Sequence, residues 1–157
     1  MKAIDLFCGC GGFSYGFELA GIDILYGVDI ETVALETFDT NHSNSTPIEH
    51  DISQGIPEKL ADEEFDLVFG SPPCQGFSHA KGERNDDDDR NNLVFDFIDW
   101  VNEFQPKFVV MENVAGIRNI SEDFLDDVET EYSEAGYTIV DGVLNSAEFG
   151  VPQKRKR

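Results

Sequence analysis

The chain has 157 residues, with 11 Lys and Arg against 32 Asp and Glu, giving a formal net charge of −21. Hydrophobic residues make up 40% of it, with 13 Phe among them, which supplies one core for a domain of roughly 100–200 residues and excludes disorder of the whole chain. No apolar run approaches the ~18 residues of a membrane span, and Met1 leads into KAIDLF with neither an h-region nor a cleavage site, so a cytoplasmic protein is expected.

Ala3 to Phe7 is a short apolar run that stops at Gly9, Gly11 and Gly12, after which Phe13, Phe17 and Ala20 recur at helical spacing up to Gly21. This pattern predicts strand, glycine turn, helix. Ile24 to Val28 is a second strand ending in Asp29, followed by a helix from Thr32 to Phe38, and the natural unit is βαβ. Pro47 to Asp51 forms a short third strand and Asp66 to Gly70 a fourth, bounded by SPPC. Residues 79–92 hold Lys81, Gly82, Arg84, the run Asp86 to Asp89, Asn91 and Asn92, the composition of a solvated loop. Leu93, Val94, Phe97, Ile98, Val101 and Phe104 share one helical face, with Pro106 just beyond its end. Phe108 to Met111 is another buried strand, ending at Glu112. Ser121 caps a helix with Glu122 and Asp123 in its first turn, an apolar stripe of Phe124, Leu125, Val128 and Tyr132, and a stop at Gly136. Tyr137 to Leu144 is one more strand. Alternating β and α elements predict an α/β fold, an open and mostly parallel sheet with helices on both faces, as one domain over 1–157.

Four constellations carry chemistry. In DLFCGCGGFSYG the glycines let a ligand approach the backbone at the sheet's carboxyl edge, and Asp29 follows at the spacing where an acid takes ribose hydroxyls. NAD, FAD and S-adenosylmethionine fit equally at this point, whereas the lack of GK[ST] excludes a Walker phosphate loop. Cys8 and Cys10 have no matching partner pair, and His42, His50 and His79 have no ligand spacing, so no metal site is expected. The three cysteines point to reduced thiols rather than to a disulfide framework. In GSPPCQGFS, residues 70–78, two prolines stiffen the turn that presents Cys74 at the carboxyl edge, as a nucleophilic thiolate requires. In MENVAG, residues 111–116, Glu112 emerges at the next strand end, placed to work as a proton donor beside Cys74. In VPQKRKR, Arg155 and Arg157 alternate on an extended segment and point the same way, suited to phosphate or a base edge.

Lys154 to Arg157 hold four of the eleven bases, so the acidic field runs almost to the last residues and then reverses. Such acidity with six Lys resembles proteins of salt-loving organisms, where molar salt cuts the Debye length to about 3 Å. Net charge therefore does not exclude nucleic acid.

Taken in order, DLFCGCGGF, VDIE, HDIS, GSPPCQGFS, NNLVFDF, MENVAG and VPQKRKR resemble the successive motifs of the cytosine-5 DNA methyltransferases, from about residue 3 to residue 157. The resemblance implies the Rossmann-like fold of S-adenosylmethionine-dependent methyltransferases, truncated before its last elements. It implies that Phe7, Gly9, Cys10, Gly11 and Gly12 line S-adenosyl-L-methionine, with Asp29 on the ribose and Ile30 flanking the adenine. Asp51 and Ile52 would address the adenine, and Pro73 would sit near the methionine end. Cys74 would attack carbon 6 of a flipped-out cytosine, Glu112 would contact ring nitrogen 3 and the exocyclic amine, and Arg157, supported by Arg155, would bind the base oxygen or nearby backbone. The implied partner is double-stranded DNA, in DNA methylation of the restriction-modification kind. The tRNA-modifying branch shares these motifs and leaves tRNA as an alternative, and a catalytically silent S-adenosylmethionine-binding remnant is the alternative from another class. Two features depart from the family pattern. The acidic run Asp86 to Asp89 falls in the loop that closes over a polyanion. Family members also continue past the position of Arg157 with a target-recognition domain and a closing segment. The expectation is thus a catalytic and cofactor portion, a fragment or split half whose second chain supplies the rest.

Overall fold

The computed structural model describes residues 1–73, 92–119 and 122–157. The chain divides into two compact units, Met1–Pro72 with Asp96–Met111, and Pro73–Phe95 with Glu112–Arg157. The expected nucleophile Cys74, most of the expected loop and the expected cap Ser121 lie outside the described residues.

The first unit is built on a sheet of five strands, β1 (Lys2–Leu6), β2 (Asp23–Asp29), β3 (Thr46–Glu49), β4 (Leu67–Gly70) and β5 (Phe108–Met111), in the order β3-β2-β1-β4-β5. Every neighbouring pair is parallel. The central strands β1 and β4 are covered on both faces, which is why they are nearly continuous apolar runs, whereas β5, expected to be buried, lies at the sheet edge with Phe108 55% and Val110 38% exposed. On one face Ala3, Ile24, Leu67 and Phe69 pack against Phe13 and Phe17 of α1 (Gly12–Leu19). Phe69 meets these two rings at centroid distances of 5.2 and 4.4 Å. Phe38 of α2 (Thr32–Asn41) lies against Gly27 on the same face, where a Cβ would strike its ring.

Gly70 follows Phe69 and so points to the opposite face. There Phe97 of α3 (Asn92–Phe104) covers it, and Trp100 donates its indole N–H to the Ile52 carbonyl at 3.0 Å. Phe38, Phe69, Phe97 and Trp100 are among the largest fully buried side chains, each contributing about 1.5–3 kcal/mol or more by leaving water. The helices therefore cover both faces, as the sequence pattern predicts.

The second unit contains α4 (Glu122–Glu134), which turns Val128 and Tyr132 inward and ends before Gly136 at φ 89°. The strand expected over Tyr137 to Leu144 does not form. No ladder partner lies alongside it among the described residues, and Val140 is 93% exposed. β-propensity without a neighbouring strand does not make a stable strand. Its last residue joins the basic segment: Leu144 and Arg157 exchange backbone N–H···O bonds of 2.8 and 2.9 Å, around a bridge of Asn145 with Lys156. The basic segment is thus tied back rather than a free tail. Among the described residues no helix is long and apolar enough to cross a membrane.

A Cβ at Gly70 would run into the Leu6 carbonyl oxygen, and one at Gly12 would meet nothing within 4 Å. Gly70→Ala is expected to lose about 1–3 kcal/mol and several degrees of Tm, whereas Gly12→Ala keeps the Tm or raises it slightly. Thermal unfolding by circular dichroism decides, and equal Tm values for the two variants would contradict this packing.

Candidate active site

The strand order reverses its direction of growth between β1 and β4, and ligands of such sheets bind outside the carboxyl ends of the strands at that point. The turn leaving β1 carries left-handed residues at alternate positions, Phe7 (φ 64°), Gly9 (φ 53°) and Gly11 (φ 88°). Phe7 is the strained member, at a cost of roughly 1–2 kcal/mol for a side chain in this region. Two contacts hold the turn to β2: Cys8 N–H donates to the Val28 carbonyl at 3.0 Å, and Gly9 N–H donates to Asp29 Oδ2 at 2.8 Å. Asp29 Oδ1 accepts from Glu31 N–H at 2.9 Å. The carboxylate is thereby fixed in its plane, with lone pairs left for hydroxyl donors.

Gly9 and Gly12 leave open space where a side chain would stand, and Ile30 is 60% exposed just past β2. After β3, Asp51 Oδ1 accepts from Ser53 N–H at 3.0 Å and from Ser53 Oγ at 2.8 Å, capping the 3-10 turn Ile52–Gln54. Ile52 itself is buried. The fold therefore collects Phe7, Gly9, Cys10, Gly11, Gly12, Asp29, Ile30, Asp51 and Ile52 at the ends of β1, β2 and β3. A glycine cradle, a fixed carboxylate and an exposed apolar side chain suit the sugar and ring of a nucleoside.

In the second unit, Arg157 Nε lies 2.8 Å from Glu112 Oε1, both side chains about a third exposed. Arg157 Nη1 donates to the Lys156 carbonyl at 2.9 Å. Arg155 is exposed, and its carbonyl accepts from Ser146 N–H at 2.9 Å. Pro73 is half-buried three residues past β4. Cys74 is not among the described residues.

Sequence reasoning passed over Asp5. It is 1% exposed beneath the glycine turn, with Oδ2 accepting from Ser14 Oγ at 2.6 Å and Oδ1 without a hydrogen-bond partner among the described residues. Burial pushes its carboxyl group up to about 7; the Ser14 bond opposes that rise and the Asp29 charge adds to it. The available signal was an acid inside an otherwise apolar strand. Burial likewise pushes the Cys8 thiol up, helped by Asp5 and Asp29, and Cys8 packs with Leu35 and Phe38 as a small apolar group.

The family profile described as C-5 cytosine-specific DNA methylase matches residues 1–157. Type II methyltransferase M.DdeI of Desulfomicrobium norvegicum is 41% identical over 163 residues, covering 100% of this chain and 39% of that protein. Type II methyltransferase M.AgeI of Thalassovita gelatinovora is 41% identical over 164 residues, covering 100% of this chain and 38% of its own length. The chain thus spans well under half of these curated relatives. Among solved structures, an Escherichia coli prophage protein described as a DNA modification methyltransferase superposes with a TM-score of 0.84 at 33% identity, over 99% of this chain and 44% of its own.

Asp5 ionises near 3.8 in an unfolded chain and at about 7 in the folded one, so folding takes up a proton between those values. The stability this residue contributes accordingly falls as pH rises through that window and is level above it. Asp5→Asn carries no such titration. Urea unfolding at pH values from 3.8 to about 7 is expected to shift the stability difference progressively in favour of the asparagine variant. Parallel pH curves for the two proteins would contradict a carboxyl group buried in this way.

Proposed function

The chain belongs to the C-5 cytosine-specific DNA methylase family, and from that premise we propose that it serves the transfer of a methyl group from S-adenosylmethionine to carbon 5 of cytosine in cytoplasmic double-stranded DNA. The observation that carries this reading is the 2.8 Å pairing of Arg157 with Glu112, because the two side chains assigned to the target base meet.

The residues present fit the cofactor. Asp29 offers a fixed carboxylate to the ribose hydroxyls, Gly9, Cys10, Gly11 and Gly12 let the nucleoside lie on the backbone, and Phe7 and Ile30 border the ring. Asp51 and the backbone of Ile52, whose side chain is buried, address the adenine and Pro73 the methionine end. S-adenosylmethionine, when bound, supplies an electrophilic methyl group.

Cytosine carbon 5 is a poor nucleophile, so the chain's own residues must activate it. The target base is rotated out of the duplex, since the ring is attacked from its face. Cys74 Sγ forms a bond to carbon 6, and the displaced electron pair makes carbon 5 nucleophilic. Glu112 contacts ring nitrogen 3 and the exocyclic amine, offsetting the charge that develops there, and Arg157 binds the base oxygen with Arg155 on the adjoining backbone. After methylation the carbon 5 proton leaves to a base, and the electron pair of that bond expels the Cys74 thiolate. The segments that relatives carry beyond this length would come from further chain or from a second polypeptide.

Methyl transfer from labelled S-adenosylmethionine to duplex DNA, assayed in molar salt with the C-terminal portion of a relative added, is expected to vanish in Cys74→Ser and to fall at least 100-fold in Glu112→Gln, on the scale of losing a general acid or charge-stabilising group. Full activity of the serine variant, or transfer to tRNA alone, would overturn the reading. Gly12→Val is expected to keep its Tm yet lose S-adenosylmethionine affinity in calorimetry, because its side chain enters the open space over the turn.

A further inference from the structure

His42 closes α2 directly behind the glycine turn. The ring is 2% exposed and has acceptors on both sides: Nε2 donates to the Gly11 carbonyl at 3.0 Å, and Nδ1 faces Glu18 Oε1 of α1 at 3.0 Å. Because a carbonyl oxygen only accepts, Nε2 is the donor of the bond to Gly11. The ring also stacks on Phe38 at 4.5 Å, and Phe38 lies on Gly27 of β2, so its position is set from the sheet upward. The preceding residue acts in the same direction, with Asn41 Nδ2 donating to the Cys10 carbonyl at 3.3 Å. Two successive carbonyls of the turn are therefore drawn toward α2.

A trans peptide sends its N–H opposite to its C=O. Fixing the Gly11 carbonyl on His42 thus directs the Gly12 N–H away from α2, and fixing the Cys10 carbonyl does the same for the Gly11 N–H, which donates to the Cys8 carbonyl at 2.9 Å. Gly11 cannot carry a side chain, since a Cβ there would strike the His42 ring. We propose that His42, assisted by Asn41, is a positioning residue for the nucleoside pocket: its ring holds the Gly11 carbonyl and so sets the direction of the turn amides that the cofactor meets. This inference rests on the cofactor assignment above, and its test separates the two.

Hydrogen exchange and calorimetry with S-adenosylmethionine and S-adenosylhomocysteine are to be run on wild type, His42→Gln and His42→Leu. In the leucine variant the Gly11 and Tyr15 amides, whose partners are the Cys8 and Gly11 carbonyls, are expected to exchange at least tenfold faster while Ile4 and Val68 of the sheet do not change. Affinity for both nucleosides should fall tenfold or more. Glutamine, whose amide still donates, should restore a large part of both. Unchanged exchange at Gly11 and Tyr15, or equal acceleration throughout the sheet, overturns the positioning role. So does a leucine variant that binds as tightly as wild type. A wild-type chain that binds neither nucleoside overturns the cofactor assignment instead, and exchange at the turn then decides the role of His42 by itself.

Discussion

The 2.8 Å hydrogen bond from Gly9 N–H to Asp29 Oδ2 governs the carboxyl edge of the sheet. A turn with left-handed residues at 7, 9 and 11 has little intrinsic preference for one shape, and Phe7 adds strain of roughly 1–2 kcal/mol. A hydrogen bond to a carboxylate contributes about 1.5–3 kcal/mol, enough to offset that strain. The acid that closes β2 thus shapes the turn that closes β1. Because Glu31 N–H pins the second oxygen, both oxygens of the carboxylate are held by backbone donors.

The charge on this edge is concentrated at the strand ends. Asp29, Glu31, Glu49 and Asp51 gather at the ends of β2 and β3. The bases of the first unit are Lys2, Lys59 and Lys107, and Lys2 and Lys107 stand at the starts of strands, at the opposite edge. Among the described residues of the first unit no Lys or Arg belongs to the ends of β2 and β3, so this edge is acidic on balance. Burial tends to keep Asp5, beneath the turn, protonated and so limits a further like charge beside Asp29.

Much of this was legible in the sequence for a physical reason. Strands of a parallel sheet show as short apolar runs, so ILYGV, LVF, FVVM and, around Asp5, AIDLF mark theirs, and the glycines and Asp29 mark the turn at the carboxyl edge. The apolar stripe from Leu93 to Phe104 likewise marks α3. Tyr137 to Leu144 has the composition of a strand, but a strand exists only with a neighbour, and composition does not supply one. Asp5 and His42 were hidden for a different reason. A search for metal spacing dismisses His42, whereas its relevant partners are the backbone carbonyl of Gly11 and a carboxylate on another helix, and periodicity shows neither. The i, i+4 relation of Phe38 and His42 is the one local trace, since it puts both on the inward side of α2.

The placement of Arg157 shows which forces hold the basic segment. An ion pair about a third exposed, such as Arg157 with Glu112, contributes at most ~1 kcal/mol, comparable to or less than the ~2 kcal/mol of rotamer freedom an arginine can lose. It cannot hold four like charges in place. The backbone can: the exchange of N–H···O bonds between Leu144 and Arg157, continued by Ser146 N–H to the Arg155 carbonyl, anchors the segment without using any cationic group. Pairing through the main chain leaves the ion pair free to aim one guanidinium at Glu112, while Lys154, Arg155 and Lys156 remain exposed on a chain that is otherwise acidic. The stretch from Tyr137 to Leu144 therefore has a structural consequence without forming a strand, since its last residue is the rail on which Arg157 is set.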